Sequence, residues 1–380
     1  MPNAHAVRSA SSSARWINCP GSIRISDQCP EPGESEYAKE GTLAHAVGEV
    51  RIQLKRTGEG FGKLEELKKS EYFDGEMDEA TDFYADLVLE HLNGAGEGAE
   101  LMVEQRVDFS EWVPGGFGTS DAVIVSDDTI EIIDLKYGKG VKVDARGNSQ
   151  MRLYALGAFE VFGDLYDFQK VRMTIVQPRL DHVSTEELTV AELLAWGDEV
   201  ARPAAEASTK PDAPTAAGDW CRWCPGKAVC RTRAEKNQEL ARLEFKKPDL
   251  LTDDEIGAVL KQADELAKWV ADLQAYALAQ ALEGKAYDGW KLVEGRSIRK
   301  YKDELAVSKK LQDAGYDEAV LYERKLLGIT AMEKLVGKKK LTETLGDLIE
   351  KPAGKPVLVP ASDKREAING AASAAADFKE

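Results

Sequence analysis

Two acidic residues thirteen apart, Asp121 and Asp134, and a lysine two beyond the second, Lys136, are the part of this chain best spaced for chemistry. Asp121 closes Gly118-Thr119-Ser120-Asp121 and opens an apolar, β-branched run. After the polar Ser126-Asp127-Asp128-Thr129, a second such run ends in Ile133-Asp134-Leu135-Lys136. Two runs of this kind about a polar turn predict a hairpin. Strand alternation puts Asp134 and Lys136 on one face with Leu135 pointing away, and closing the hairpin brings Asp121 to them. Two carboxylates and an ammonium at one end of a sheet suit Mg²⁺ or Mn²⁺. Such ions cut phosphodiesters by activating water and neutralising phosphate charge. An isolated Asp-x-Lys is more often a solvated surface pair of little energetic weight, so the reading depends on what else converges there.

Two further segments supply it. Gln150-Met-Arg-Leu-Tyr154 lies in a stretch with helical periodicity, Asn148 to Phe162, with Gly163 placed as its C-cap. Gln150 and Tyr154, four apart, share a helix face and can aim an amide and a phenol at the sheet. Upstream, in Glu40-Gly41-Thr42-Leu43-Ala44-His45, Thr42 is placed to cap a helix running toward Lys55, with His45 on its first turns. The chain has four histidines, and a neutral imidazole is a competent metal ligand.

In this order Gly-Thr-x-x-His, Gly-x-x-Asp, Asp-x-Lys and Gln-x-x-x-Tyr resemble the RecB-type branch of the PD-(D/E)XK nucleases. That branch includes CRISPR-associated adaptation nucleases and phage exonucleases. The resemblance covers roughly residues 10 to 235 and lacks the family's proline, since Ser120 precedes Asp121. It implies that His45, Asp121, Asp134 and the Leu135 carbonyl hold Mg²⁺ or Mn²⁺. Lys136 is then the catalytic lysine, with Gln150 and Tyr154 supporting it or positioning substrate.

Of five cysteines, three cluster as Cys221-x₂-Cys224-x₅-Cys230. This spacing reads as metal or cluster binding rather than disulfides. Three thiolates leave a four-sulfur site one short. Cys19 and Cys29, each followed by proline, are both available, so the residues alone leave the choice open. The resemblance implies a [4Fe–4S] cluster held by Cys19, Cys221, Cys224 and Cys230, stapling the two ends of the nuclease domain, with Cys29 free. Zinc accepts four thiolates too and is the physical alternative.

The rest of the chain bounds these readings. Its 380 residues, 43% hydrophobic, suffice for two domains or one enlarged one. No run reaches membrane-spanning length, and the start of the chain lacks an apolar signal region. With the thiols, this predicts a cytoplasmic protein with no membrane partner. The net charge of −17 works against broad attachment to a polyanion. It is uneven: from Lys285 onward there are 19 Lys and Arg against 16 Asp and Glu, a balance of +3, which leaves −20 on the remainder. A DNA-cutting domain of that sign needs a local basic groove or a partner that delivers substrate.

The elements expected around the motifs begin at Ser11–Ser13 with a short helix, then helices over Glu36–Lys55 and Glu71–Leu92. Strands follow over Leu101–Phe109, Phe117–Val125 and Thr129–Lys136, then the Gln150 helix. A strand over Lys170–Gln177 is ended by Pro178, and a helix over Leu188–Glu206 leads to the cysteines. The order α-β-β-β-α-β predicts an α/β fold, the restriction-endonuclease-like PD-(D/E)XK core with a central mixed sheet flanked by helices. Residues 1–245 form the nuclease domain. Residues 246–380 add a mostly helical extension: a long helix over Leu251–Leu282, a basic and aromatic hairpin over Gly289–Lys302 suited to single-stranded nucleic acid, a solvated loop at Lys338-Lys339-Lys340, an extended Lys351–Pro360 and a mobile end from Ala371. The N-terminal motifs with this tail also resemble an uncharacterised family of phage and prophage proteins found near recombination genes.

The function expected is therefore a metal-dependent DNA nuclease, an exonuclease of phage recombination or DNA processing. Its partners are DNA and a phage single-strand annealing or recombination protein. Two other classes compete. A catalytically idle nuclease fold would serve as a DNA-binding or scaffolding subunit, and a zinc-stabilised interaction protein would show neither iron nor divalent-dependent activity.

Overall fold

A computed structural model describes residues 6–29, 35–241, 253–291, 293, 303–322, 327–345 and 348–349. The chain divides into two compact units, residues 1–242 with 268–295, and residues 243–267 with 296–380.

The first unit is a mixed α/β body. Helices α1 (Ser13–Asn18), α2 (Ser22–Asp27), α3 (Glu36–Thr57), α4 (Phe61–Leu67) and α5 (Gly75–Gly94) lead into strands β1 (Glu100–Asp108), β2 (Phe117–Val125) and β3 (Thr129–Leu135). Helix α6 (Ser149–Phe162) crosses over to β4 (Lys170–Gln177), and β5 (His182–Thr189) completes the sheet. The strand order is β1-β2-β3-β4-β5. Only β3 and β4 run parallel, because α6 connects them, while the other neighbours are antiparallel.

The sheet is covered on both faces. On one side α6 and the N-terminal helices pack on Val123, Val125, Ile130 and Ile132. On the other, α5 packs on Ala122, Ile124, Ile133 and Leu135. Strands buried on both faces need apolar residues at every position rather than alternate ones. That is why β3 reads almost unbroken as Thr-Ile-Glu-Ile-Ile-Asp-Leu, and why its two acids stand out.

Several expected elements are shifted. Ser35, not Thr42, caps α3, its hydroxyl accepting from the Ala38 N–H at 3.2 Å. Thr42 sits inside the helix and donates back to Ala38 O at 3.0 Å. His45 is therefore in the third turn, beyond the frayed end. Asp74 caps α5, so the helix starts at Gly75 rather than Glu71. The stretch read as one helix from Leu188 begins as the end of β5. It becomes helical at α7 (Val190–Trp196), widens into a π turn over Gly197–Ala201 and continues as α8 (Arg202–Ala207). After the cysteines come α9 (Arg231–Ala241) and α10 (Asp253–Leu282), in which Asp272 pairs with Lys227 and Arg233, all three within the first unit.

The second unit contains α11 (Glu304–Asp313), α12 (Glu318–Leu321), α13 (Ile329–Val336) and α14 (Lys338–Leu345). Lys338-Lys339-Lys340 opens α14 and is not a loop. The hairpin expected to Lys302 lies outside the described residues from 294 onward, as do Lys351–Pro360 and the alanine-rich end.

Candidate functional site

The predicted site residues meet at the C-terminal end of β3, beside the middle of β2, where the pairing of the two strands stops at Ala122↔Ile133. Asp121 divides its carboxylate: Oδ2 accepts the Leu135 N–H at 2.7 Å, and Oδ1 lies 3.1 Å from His45 Nδ1. Asp134 and Lys136 share a face, as alternation requires, with Lys136 Nζ 2.9 Å from Asp134 Oδ2. Leu135 turns into the opposite core. Gln150 bridges them, accepting from Lys136 Nζ at 3.0 Å and donating to Asp134 Oδ1 at 3.1 Å. Its amide also lies 3.4 Å from the Tyr154 hydroxyl.

Each group is held from behind. Asn148 caps α6 through the Gln150 and Met151 N–H groups, which fixes the turn carrying Gln150. Gly118 lies against Tyr154, and a Cβ there would come within 2.7 Å of the ring. The glycine of the Gly-x-x-Asp motif is thus what lets the phenol reach the site. Helix α3 is fastened to α5 by Arg51, which pairs with Asp78 and lies 2.6 Å from Asp82, so His45 has a fixed base. Beyond Lys136, Arg179 stacks on Tyr137 at 4.4 Å and pairs with Glu40 at 3.1 Å and Glu76 at 2.8 Å. It ties the outgoing loop to α3 and α5.

Glu104, which no sequence motif marked, joins the group. Ligand atoms of His45, Glu104 and Asp121 all lie within 4.8 Å of one another. Glu104 and Asp121 fall at a break in the β1–β2 register, between Val103↔Ala122 and Gln105↔Ser120, and Glu104 has a left-handed backbone, φ +51°. A side chain with a Cβ adopts that conformation at a cost of about 1–2 kcal/mol. The strand changes face there. Leu101 packs in the α5-side core and Val107 in the α6-side core, although six residues apart they would share a face in regular alternation.

The electrostatics are crowded. Burial and the nearby Asp121 raise the Asp134 carboxyl above its usual range despite Lys136. Partial loss of water and then Asp121 raise Glu104. Burial would strip the proton from Lys136, but Asp134 and Asp121 outweigh it and hold the ammonium charged. His45 is likewise raised, the attraction of Asp121 and Asp134 exceeding the cost of burial. Asp134 Oδ2 is buried with no hydrogen bond of good geometry, its contact to Lys136 being an ion pair only. The hydroxyl of buried Tyr84 also has no hydrogen-bond partner, and burial, then the charges of Asp121, Asp134 and Glu104, hold its proton on. Clustered oxygen donors with one imidazole and too few protons or cations to satisfy them suit a hard divalent cation such as Mg²⁺ or Mn²⁺.

Of the cysteines, Cys19, Cys221 and Cys224 are buried and Cys230 is partly so. Cys19 faces Cys224, Cys230 and Cys221. Backbone N–H groups of Ala216 and Gly218 donate to the Cys19 and Cys221 sulfurs, each at 3.4 Å. Such donors favour thiolate over thiol. Burial pushes both thiols up, and a bound metal ion reverses that. Cys29, expected to be free of the site, also lies near Cys224 and Cys230. A Cβ on Gly226 would lie 3.3 Å from its sulfur.

No helix among the described residues is long and apolar enough to cross a membrane. The crystal structure of SSO0001 overlaps at 16% identity, covering 50% of this chain and 85% of that one, with a TM-score of 0.23, a likeness too low to carry an argument. The family model described as "Protein of unknown function (DUF2800)" matches residues 5–366, and the chain belongs to that family.

Proposed function

We propose that the protein is a metal-dependent DNA nuclease built on a PD-(D/E)XK-type core of the RecB branch. The observation that carries this reading is the closed chain His45–Asp121–Leu135 N–H beside Lys136–Asp134–Gln150, with Glu104 facing Asp121. Five charged or titratable groups around one sheet end, with acids outnumbering cations, cost stability and are reasonable only where a function needs them.

His45, Glu104, Asp121 and Asp134, with the Leu135 carbonyl, would hold Mg²⁺ or Mn²⁺. The ion supplies an acidified water and neutralises phosphate charge. Lys136, 2.9 Å from Asp134 Oδ2, would act as a charge and hydrogen-bond donor to the phosphate oxygens. Gln150 holds the Lys136 ammonium and the Asp134 carboxylate together through its two hydrogen bonds. Tyr154 backs Gln150. Water adds at phosphorus, the bond to one sugar oxygen breaks, and the water proton reaches that oxygen by way of solvent, leaving a phosphate monoester and an alcohol. The thiol group fits a [4Fe–4S] cluster or zinc on Cys19, Cys221, Cys224 and Cys230, with a structural role. A cytoplasmic protein of phage recombination or DNA processing, acting with an annealing or recombination partner, fits this chemistry.

The test is digestion of end-labelled linear and covalently closed circular DNA by anaerobically purified protein, with and without Mn²⁺, beside iron and zinc analysis. Mn²⁺-dependent loss of linear DNA with the circle intact supports an exonuclease. Loss of both indicates an endonuclease. No cleavage of either leaves a DNA-binding or scaffolding role, and stoichiometric zinc replaces the iron–sulfur assignment.

A further inference from the structure

An acidic protein that cuts DNA must offer the polyanion a path to the site, and the segment leaving Lys136 has the properties of one. From Lys136 to Arg152 there are five basic residues (Lys136, Lys139, Lys142, Arg146 and Arg152) and one acid, Asp144, in a chain of net charge −17. The segment starts in the site at Lys136 and returns to it at Gln150.

Its backbone is pinned by side chains of β4 and β5. The buried Gln177 donates to the carbonyls of Gly138 and Val141, each at 2.8 Å, and accepts the Val143 N–H at 3.1 Å. His182 Nε2 lies 3.1 Å from Val143 O. Ser184 accepts the Ala145 N–H and Glu186 the Gly147 N–H, both at 3.0 Å. Val143 and Ala145 turn into the core, while Lys142, Asp144 and Arg146 face solvent. Gly147, at φ +69°, closes a turn sealed by the Asn148 N–H on Ala145 O at 3.0 Å. A loop of this composition is ordinarily free to move. This one is fixed at alternate residues, and the fixing displays two cations.

Most other cations near the site are taken. Lys139 pairs with Glu76 at 2.7 Å, Arg152 with Glu186 at 2.9 Å and Arg179 with two glutamates. Asp144 is turned toward His182 at 3.1 Å. Lys142 and Arg146 are exposed and make no ion pair among the described residues.

We propose that this pinned segment is the track for the DNA backbone, with Lys142 and Arg146 each neutralising a phosphate outside the scissile one. The proposal rests on the nuclease reading above. It deepens that reading by assigning substrate-positioning residues that carry no sequence information, since phosphate contacts fix register and orientation only.

The test is binding of a fluorescent DNA oligonucleotide to the full chain in Ca²⁺, across a salt series, for wild type and Lys142→Ala/Arg146→Ala. Both side chains are exposed, so the variant should melt with the wild type. Two lost phosphate contacts should flatten the slope of log affinity against log salt by about 1.4 for a single strand or about 1.8 for a duplex. Lys142→Arg/Arg146→Lys should restore it. An unchanged slope in the alanine variant, beside tight binding by wild type, overturns the track and leaves the nuclease reading standing. Wild type that neither binds DNA nor cuts it in Mn²⁺ overturns both.

Discussion

Strand β3 carries two buried acids three residues apart, Glu131 and Asp134, and they live in opposite circumstances. Glu131 is satisfied. His91 Nδ1 lies 2.7 Å from its Oε1, Thr174 donates to it at 3.2 Å, and Arg172 stands 3.6 Å from Oε2. Asp134 has a lysine and an amide but also a second carboxylate beside it, and one of its oxygens has no well-formed hydrogen bond. Burial of a carboxylate is therefore not the signature of a site. Glu131 has its charge matched within the fold and reads as structure. Asp134 has it matched only in part, and the shortfall is what a cation would fill.

Removing the frustrated charge should have the largest effect on activity and the least on stability. Asp134→Asn is expected to lower Mn²⁺-dependent cleavage by on the order of a thousandfold. Because its carboxyl is raised in the fold, the ionised form is disfavoured there. That penalty is present above the ordinary carboxylate range and absent in acid. The variant trades that penalty against the loss of the nearest counter-charge of Lys136, so it should melt close to wild type at pH 7, and the contribution of the carboxyl penalty should vanish as pH falls. A melting point several degrees below wild type would mean that Asp134 is structural, like Glu131.

Glu104 tests whether strain marks the site. Glu104→Gly removes a carboxylate and accommodates the left-handed backbone. Calorimetry should show Mn²⁺ affinity weakened on the order of tenfold to a hundredfold, with stability unchanged or raised. Unaltered affinity would remove Glu104 from the ligand set.

The satisfied pair predicts the reverse pattern. His91→Leu should cost about 2 kcal/mol in urea unfolding near pH 6, with cleavage intact. His91 is raised above its ordinary value, chiefly by its hydrogen bond to Glu131. Its charge-dependent contribution is thus complete below about pH 6.5 and is lost as pH rises through the raised value. The difference between wild type and variant should shrink accordingly, and a gap constant with pH would assign it to packing.

Tyr154→Phe should be mildest, since it removes only the hydroxyl 3.4 Å from the Gln150 amide. A loss of about 1 kcal/mol, roughly fivefold in rate, is expected. A loss comparable with Asp134→Asn would give the phenol a direct part in the chemistry.

Much of this contrast was legible in the sequence, for identifiable reasons. β2 and β4 run as read, Phe117–Val125 and Lys170–Gln177, because an apolar β-branched run bounded by turn residues has no competing pattern. The alternation of Asp134 and Lys136 and the four-residue spacing of Gln150 and Tyr154 carried over directly into hydrogen bonds. β5 was missed because His-Val-Ser-Thr-Glu-Glu-Leu-Thr is polar on both faces, as an edge strand can be, and offers no apolar period. Its inward His182, Ser184 and Glu186 hold a loop rather than a core. Glu104 was hidden more thoroughly. Leu101, Val103, Val107 and Phe109 alternate as if on one face, so the reversal at Glu104 leaves no trace in the pattern. A left-handed glutamate is a tertiary decision that local propensity does not record.

The N-terminal segment has a consequence for how the chain is made. Arg8 Nε donates to Ser208 Oγ at 2.6 Å, the Gly21 N–H to Pro214 O at 2.8 Å, and the Ala216 N–H to Cys19 Sγ. These residues thus find their partners only when the chain has grown by some two hundred residues more. At about 5–20 residues per second, Cys19 waits on the order of 10–40 s for the distal cysteines to emerge. During that wait its sulfur is open to oxidants and adventitious metals. The sheet between Glu100 and Thr189 can form without this closure, so synthesis order separates assembly of the acidic site from sealing of the thiol end. Translation speed, and the redox state of the compartment while the chain is incomplete, thereby bear on whether Cys19 meets Cys221, Cys224 and Cys230 as a free thiol.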